Sequence, residues 1–203
     1  MVDMEEMLMN YWRTISLLVL LMLSIDVIGA SEWYYWQRDN LLHGEIWRLF
    51  TGQVVHTNQA HLVGNIAVLI MLCHFYESIL DGIKLIALSF AIGVSISLSL
   101  FYTAIDTYLG FSGILHGLFV WCAIKEIHQG KVSGWIILIA ITGKLLQDGI
   151  YGPAVSTSEL IEARVAIEAH DAGALFGGIF ALLSIASPIR PHINLFATLS
   201  HSR

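Results

Sequence analysis

Residues 110–117 read GFSGILHG, and they open a run that continues LFVWCAIKEIH to residue 128. A helix through such a run covers most of a hydrocarbon core of ~30 Å, which takes roughly 20 apolar residues to cross. Ser112 and His116 lie inside it, with Gly110, Gly113 and Gly117 around them. Polar side chains at that depth are costly in lipid, so they face the interior of a helical bundle and mark function.

Outward from this stretch the same pattern recurs. The chain has 203 residues, 56% hydrophobic and 13% charged, with a mean hydropathy of +0.70, whereas soluble domains carry about a quarter charged residues. Apolar runs broken by polar or Gly/Pro punctuation place spans near 11–29, 61–80, 84–103, 111–128, 132–150 and 163–187. The expected fold is all-α: a polytopic membrane protein with a six-transmembrane-helix bundle, a single domain over 1–203. The stretch 30–60 is mixed and rich in Trp and Tyr, which favour the membrane–water boundary, and it reads as an interfacial loop. Asp3, Glu5 and Glu6 against Arg13 are the reverse of a basic leader, so Leu17–Ile28 reads as a retained first span.

The formal net charge is -6, and acids such as Glu159 and Glu162 sit between spans, so no nucleic-acid partner is indicated. Cys73 and Cys122 fall in apolar runs, where free cysteine acts as a small hydrophobe. With both termini on one side, that side collects Arg13, Lys84, Lys125, Lys131, Arg190 and Arg203, and the other collects Arg38, Arg48 and Arg164. The positive-inside bias then puts both termini in the cytoplasm. The loop 30–60, the turn 104–109 and the segment 151–162 face outward, and Ser112 begins its span from the outer side.

The polar groups within the spans that single themselves out are His61 and Asn65 in the second, Ser112 and His116 in the fourth, Lys144 and Asp148 in the fifth, and His170 and Asp171 in the sixth, whereas lone serines such as Ser95, Ser97 and Ser99 read as packing or back-bonding to the helix. His61 and Asn65 are four apart and share a helix face. Both lie near the outer end, as do Ser112 and His170. A serine hydroxyl needs a base within hydrogen-bond reach to become a nucleophile, which His170 supplies. An acyl-transfer oxyanion needs donors, and the Ser112 N–H, the Asn65 amide and the His61 ring are of that kind. Gly113 and Gly117, with Gly173 and Gly177, form small-xxx-small faces that let two helices approach. Lys144 and Asp148, also four apart, satisfy each other as a pair or line a substrate entrance between the second and fifth spans. A competing reading assigns His56, His61, His116 and His170 to a haem or metal. It leaves Ser112, Asn65 and the flanking glycines without a purpose.

The motifs HTNQAHLVGN (His56, His61, Asn65), GFSG (Gly110 to Gly113) and AHDAGALFG (Ala169 to Gly177) stand in the order of the rhomboid intramembrane proteases, which the chain resembles from about Glu45 to Gly178. Trp47-Arg48 is similar to that family's loop signature, and Glu77 to its acidic residue in the second span. The resemblance implies a serine endopeptidase with Ser112 as nucleophile, His170 as base, His61 and Asn65 at the oxyanion, and no third carboxylate, cofactor or metal. A non-cleaving, helix-binding relative is the alternative, although such relatives usually lose the Ser or the His. GEIWRLFTG and SGILHG, with His116 where most rhomboids carry tyrosine, resemble the rhombosortase branch. That likeness implies membrane-anchored substrates with a C-terminal tail of glycine-rich motif, transmembrane helix and basic residues. It also implies a bacterial inner membrane, with the site opening to the periplasm.

Overall fold

In the computed structural model the described residues are 4–28 and 31–186; Asp3, Arg190, Arg203 and the last residue of the expected span 163–187 lie outside them. Helix α1, Met4–Ile28, buries Tyr11, Ile15, Leu18 and Met22. That spacing of three and four makes one apolar stripe down one side. The Tyr11 hydroxyl donates to the Cys73 carbonyl at 2.8 Å, which pins α1 to the bundle.

Within the expected interfacial loop 30–60, the described residues 31–60 carry short elements. The loop holds a 3-10 turn Ser31–Trp33, strand β1 Trp36–Gln37, helix α2 Arg38–Leu42 and helix α3 Arg48–Thr51. Arg48 organises it. Its guanidinium, 2% exposed, donates to Glu45 at 2.5 Å and to the carbonyls of Glu32 at 3.0 Å and Tyr35 at 2.7 Å. A buried charge persists only when paired and hydrogen-bonded in this way.

Helix α4 is Gln59–Tyr76, started by Asn58, whose side chain accepts from the His61 N–H. Helix α5 is Gly82–Leu100, capped in the same way by Asp81. Strand β2, Thr107–Tyr108, pairs antiparallel with β1, Trp36 opposite Tyr108. Helices α6 Ser112–His128, α7 Val132–Tyr151, α8 Val155–Ile161 and α9 Ile167–Ala186 follow. Among the described residues, four helices, α1, α4, α5 and α9, are long and apolar enough to cross a membrane by length and composition. Helix α6 has 17 residues, and Lys144, Gln147 and Asp148 lower the apolar character of α7.

Several expected boundaries move: the first helix begins at Met4 rather than near 11, and the third runs Gly82–Leu100 rather than 84–103. The second long helix stops at Tyr76 rather than near 80, because the chain turns there into the Asp81 cap. The last begins at Ile167 rather than 163, because Glu162 takes a left-handed conformation, φ 53, that ends α8. His170 therefore lies in the first turn of α9.

Helix α6 is the centre of the molecule, packed by α4, α5, α7 and α9, and buried on most of its surface. Against α9 the contact is main chain on main chain. A Cβ at Gly117 would lie 2.6 Å from the Gly173 carbonyl oxygen and one at Gly113 2.9 Å from that of Ala169, and Cβ atoms at Gly173 and Gly177 would come still closer to the Gly113 and Gly117 carbonyl oxygens. The β1–β2 pair and a bond from the Gly110 N–H to the Gly52 carbonyl, 3.0 Å, deliver the chain to the start of α6.

Candidate active site

Ser112 is the first residue of α6, so its N–H has no carbonyl one turn back within the helix and is free to serve a ligand. The turn before it is fixed from several sides. Phe111 is fully buried. Gly110, φ +123, takes a backbone conformation that L side chains rarely adopt. The buried Tyr108 hydroxyl donates to the Gly110 carbonyl at 2.7 Å, and burial pushes that phenol up, so it keeps its proton.

Across the glycine contact, Ser112 Oγ and His170 Nε2 are 2.8 Å apart. His170 is buried, and its Nδ1 meets no partner among the described residues. Asp171, next in the chain, is exposed. The His116 ring lies face to face on that of His170, centroids 4.2 Å apart and planes 16° from parallel. Its Nδ1 donates to the Ser112 carbonyl at 2.8 Å, the only sense possible toward a carbonyl.

Facing the pair is α4. Asn65 is 7% exposed and its amide nitrogen has no partner among the described residues. His61 sits one turn earlier, its ring over Gly110: a Cβ there would meet Cε1 at 2.7 Å and Nε2 at 2.9 Å. His56, in the turn before α4, is buried edge-on to His61, centroids 4.9 Å apart. Burial, with His61 beside it, pushes the His56 imidazole from 6.5 down to about 3. Ser112, His170, His61 and Asn65 open into one cavity of about 410 Å³, roofed by α8 and the linker 163–166.

All seven expected site positions thus meet in one place: Ser112 and His170 in contact, Asn65 and His61 opposite, Gly110 under His61, Gly113 against α9, and His116 on His170. Lys144 and Asp148 pair with each other on α7. Thr57, Tyr108 and the α8 roof are residues and elements that the sequence reading does not reach. The signal available for Thr57 is its place beside the Asn58 cap, one turn before His61.

A helical bundle with a serine–histidine pair in a partly buried cavity is the class of protein that fold and site define. The rhomboid domain matches residues 43–187, most of the chain, and the chain belongs to the rhomboid family. That makes it a multi-pass membrane protein of an intramembrane serine protease family, whose members act on membrane proteins within the bilayer. No curated protein matches it.

Proposed function

We propose that this chain is a serine endopeptidase working through a Ser112–His170 dyad, on a single rhomboid-like domain of six membrane spans. The observation that carries the reading is the 2.8 Å contact from Ser112 Oγ to His170 Nε2. His170 takes the hydroxyl proton as Oγ attacks the scissile carbonyl, and returns it to the leaving amine as the C–N bond breaks. Water then attacks the acyl-enzyme by the reverse proton path. The Ser112 N–H, the Asn65 amide and the His61 ring stabilise the oxyanion. The unsatisfied Asn65 nitrogen supports this, since a buried donor left empty suits an acceptor present only during reaction.

The substrates are membrane-anchored proteins, and the rhombosortase branch specifies a C-terminal tail with a glycine-rich motif, a transmembrane helix and basic residues. Its support is His116, stacked on His170 in the place where most rhomboids carry tyrosine. The site opens to the periplasmic side of a bacterial inner membrane, with both termini cytoplasmic, and substrate enters between α4 and α7 past Lys144 and Asp148. If Lys144→Met left cleavage of every substrate unchanged, that route would be dropped. The haem or metal reading gains little, because the His116 and His170 rings lie face to face, with His170 Nε2 on the Ser112 hydroxyl and His116 Nδ1 on the Ser112 carbonyl.

A serine-directed fluorophosphonate tests the dyad. Wild type takes the label, Ser112→Ala takes none, and His170→Ala takes it slowly. Equal labelling of wild type and Ser112→Ala would sink the protease reading. The branch is tested with two reporters, one bearing the glycine-rich motif before its membrane helix and one lacking it; only the first is cut.

A further inference from the structure

Hydrogen-bond capacity fixes the proton on His61. The Ile161 carbonyl, 2.6 Å from Thr57 Oγ1, can only accept, so the single hydroxyl proton of Thr57 goes there. Thr57 Oγ1 lies 3.1 Å from His61 Nδ1, and with its proton spent it can only accept from the ring. Neutral His61 therefore carries its proton on Nδ1 and a lone pair on Nε2. A lone pair is the wrong partner for a developing oxyanion, which needs donors.

The carbonyl that enforces this arrangement belongs to a weakly held element. Helix α8 has no buried residue and lies against α4. Two side chains from the turn before α4 tether it, Thr57 to the Ile161 carbonyl and Asn58 Nδ2 to the Leu160 carbonyl at 2.9 Å. It ends in a left-handed Glu162, a conformation strained for a non-glycine residue. With its linker it roofs the cavity over Ser112, where a substrate backbone has to arrive.

We propose that Thr57 is a positioning residue that couples the docking of α8 to the proton on His61. With α8 down, the ring is held Nδ1–H and Nε2 offers no proton. When a substrate segment displaces α8, the Ile161 carbonyl withdraws and the Thr57 hydroxyl turns to donate to Nδ1. The ring gives its Nδ1 proton to cavity water and takes one from water at Nε2, with no net change of charge. Nε2 is then a donor, and the oxyanion site is complete only when the roof has moved. Asn65 needs no such step, because its amide donates in either state. What Nε2 donates to rests on the protease reading; the resting tautomer does not.

The test is nitrogen-15 NMR of histidine-labelled protein in micelles at mildly alkaline pH, with His61 assigned by the signal lost in His61→Gln. Resting wild type and Thr57→Ser show the Nδ1–H pattern, and Thr57→Val, similar in size but without a hydroxyl, loses it toward Nε2–H. Phosphonylation of Ser112 moves wild type to Nε2–H. A resting wild type already Nε2–H, or a Thr57→Val spectrum identical to wild type, overturns the proposal. If Thr57→Val does not fold, the wild-type spectra before and after phosphonylation decide it. Failure to label Ser112 would remove the protease reading and leave the resting tautomer to stand or fall alone.

Discussion

Asn65 shows at a single residue how site and stability pull apart. Its buried amide nitrogen, without a partner among the described residues, contributes no hydrogen bond to folding, and an unsatisfied buried donor costs about 1–3 kcal/mol. Asn65→Ala is therefore expected to lower kcat by about 10²-fold while leaving thermal unfolding unchanged or slightly raised, compared by cleavage assay and melting in the same micelles. His56 acts on stability through pH. The unfolded chain takes up a proton there as pH falls through 6.5, and the folded chain not until about 3. Its contribution is thus complete above 6.5 and lost on acidification by up to about 1.4 kcal/mol per pH unit. His56→Phe should flatten the decline in Tm between pH 7 and pH 5; an unchanged slope would show that other groups dominate. His170, His61 and Asn65 are legible in the sequence because ionisable or amide side chains in apolar runs are rare, and Ser112 because Gly110 and Gly113 flank it where lone serines such as Ser95, Ser97 and Ser99 have no such setting. Thr57 and Tyr108 are not, since a hydroxyl outside such a run has no such contrast, and their partners, Ile161 and Gly110, are backbone carbonyls.

Among the elements, the α6–α9 contact sets the spacing of Ser112 and His170. A Cβ at Gly117 meets the Gly173 carbonyl oxygen at 2.6 Å, and main chain cannot yield as the tip of a side chain can. Gly117→Ala should destabilise the protein by about 1–3 kcal/mol and slow phosphonate labelling of Ser112. Gly64, on α4, faces open space, and a Cβ added there would have nothing within 4 Å, so Gly64→Ala should melt no lower than wild type. Small-xxx-small spacing makes the first contact readable in advance. The short elements β1, β2, α2, α3 and α8 are invisible to the same method, because two to seven residues complete too few turns or alternations to show a period. The start of α9 is hidden because Ala163, Val165 and Ala166 extend its apolar run, while only the backbone at Glu162 reveals the break.

Across the whole molecule, burial is uneven. Helix α6 is enclosed by its neighbours, whereas α7 buries only Gly134 and Asp148. Amide hydrogen exchange should therefore be slowest in α6 and faster in α7, read by mass spectrometry in lipid nanodiscs; equal protection would mean that lipid holds α7 as firmly as protein holds α6. The main-chain contact between α6 and α9 has a further consequence. Because carbonyl oxygens and α-carbons, not flexible side chains, space the two helices that carry Ser112 and His170, the proposed dyad has a rigid ruler. A thicker or thinner bilayer can tilt the outer helices without stretching it. The intrinsic reactivity of Ser112 should then stay nearly constant across lipids of different chain length, while the rate at which membrane substrates reach it varies.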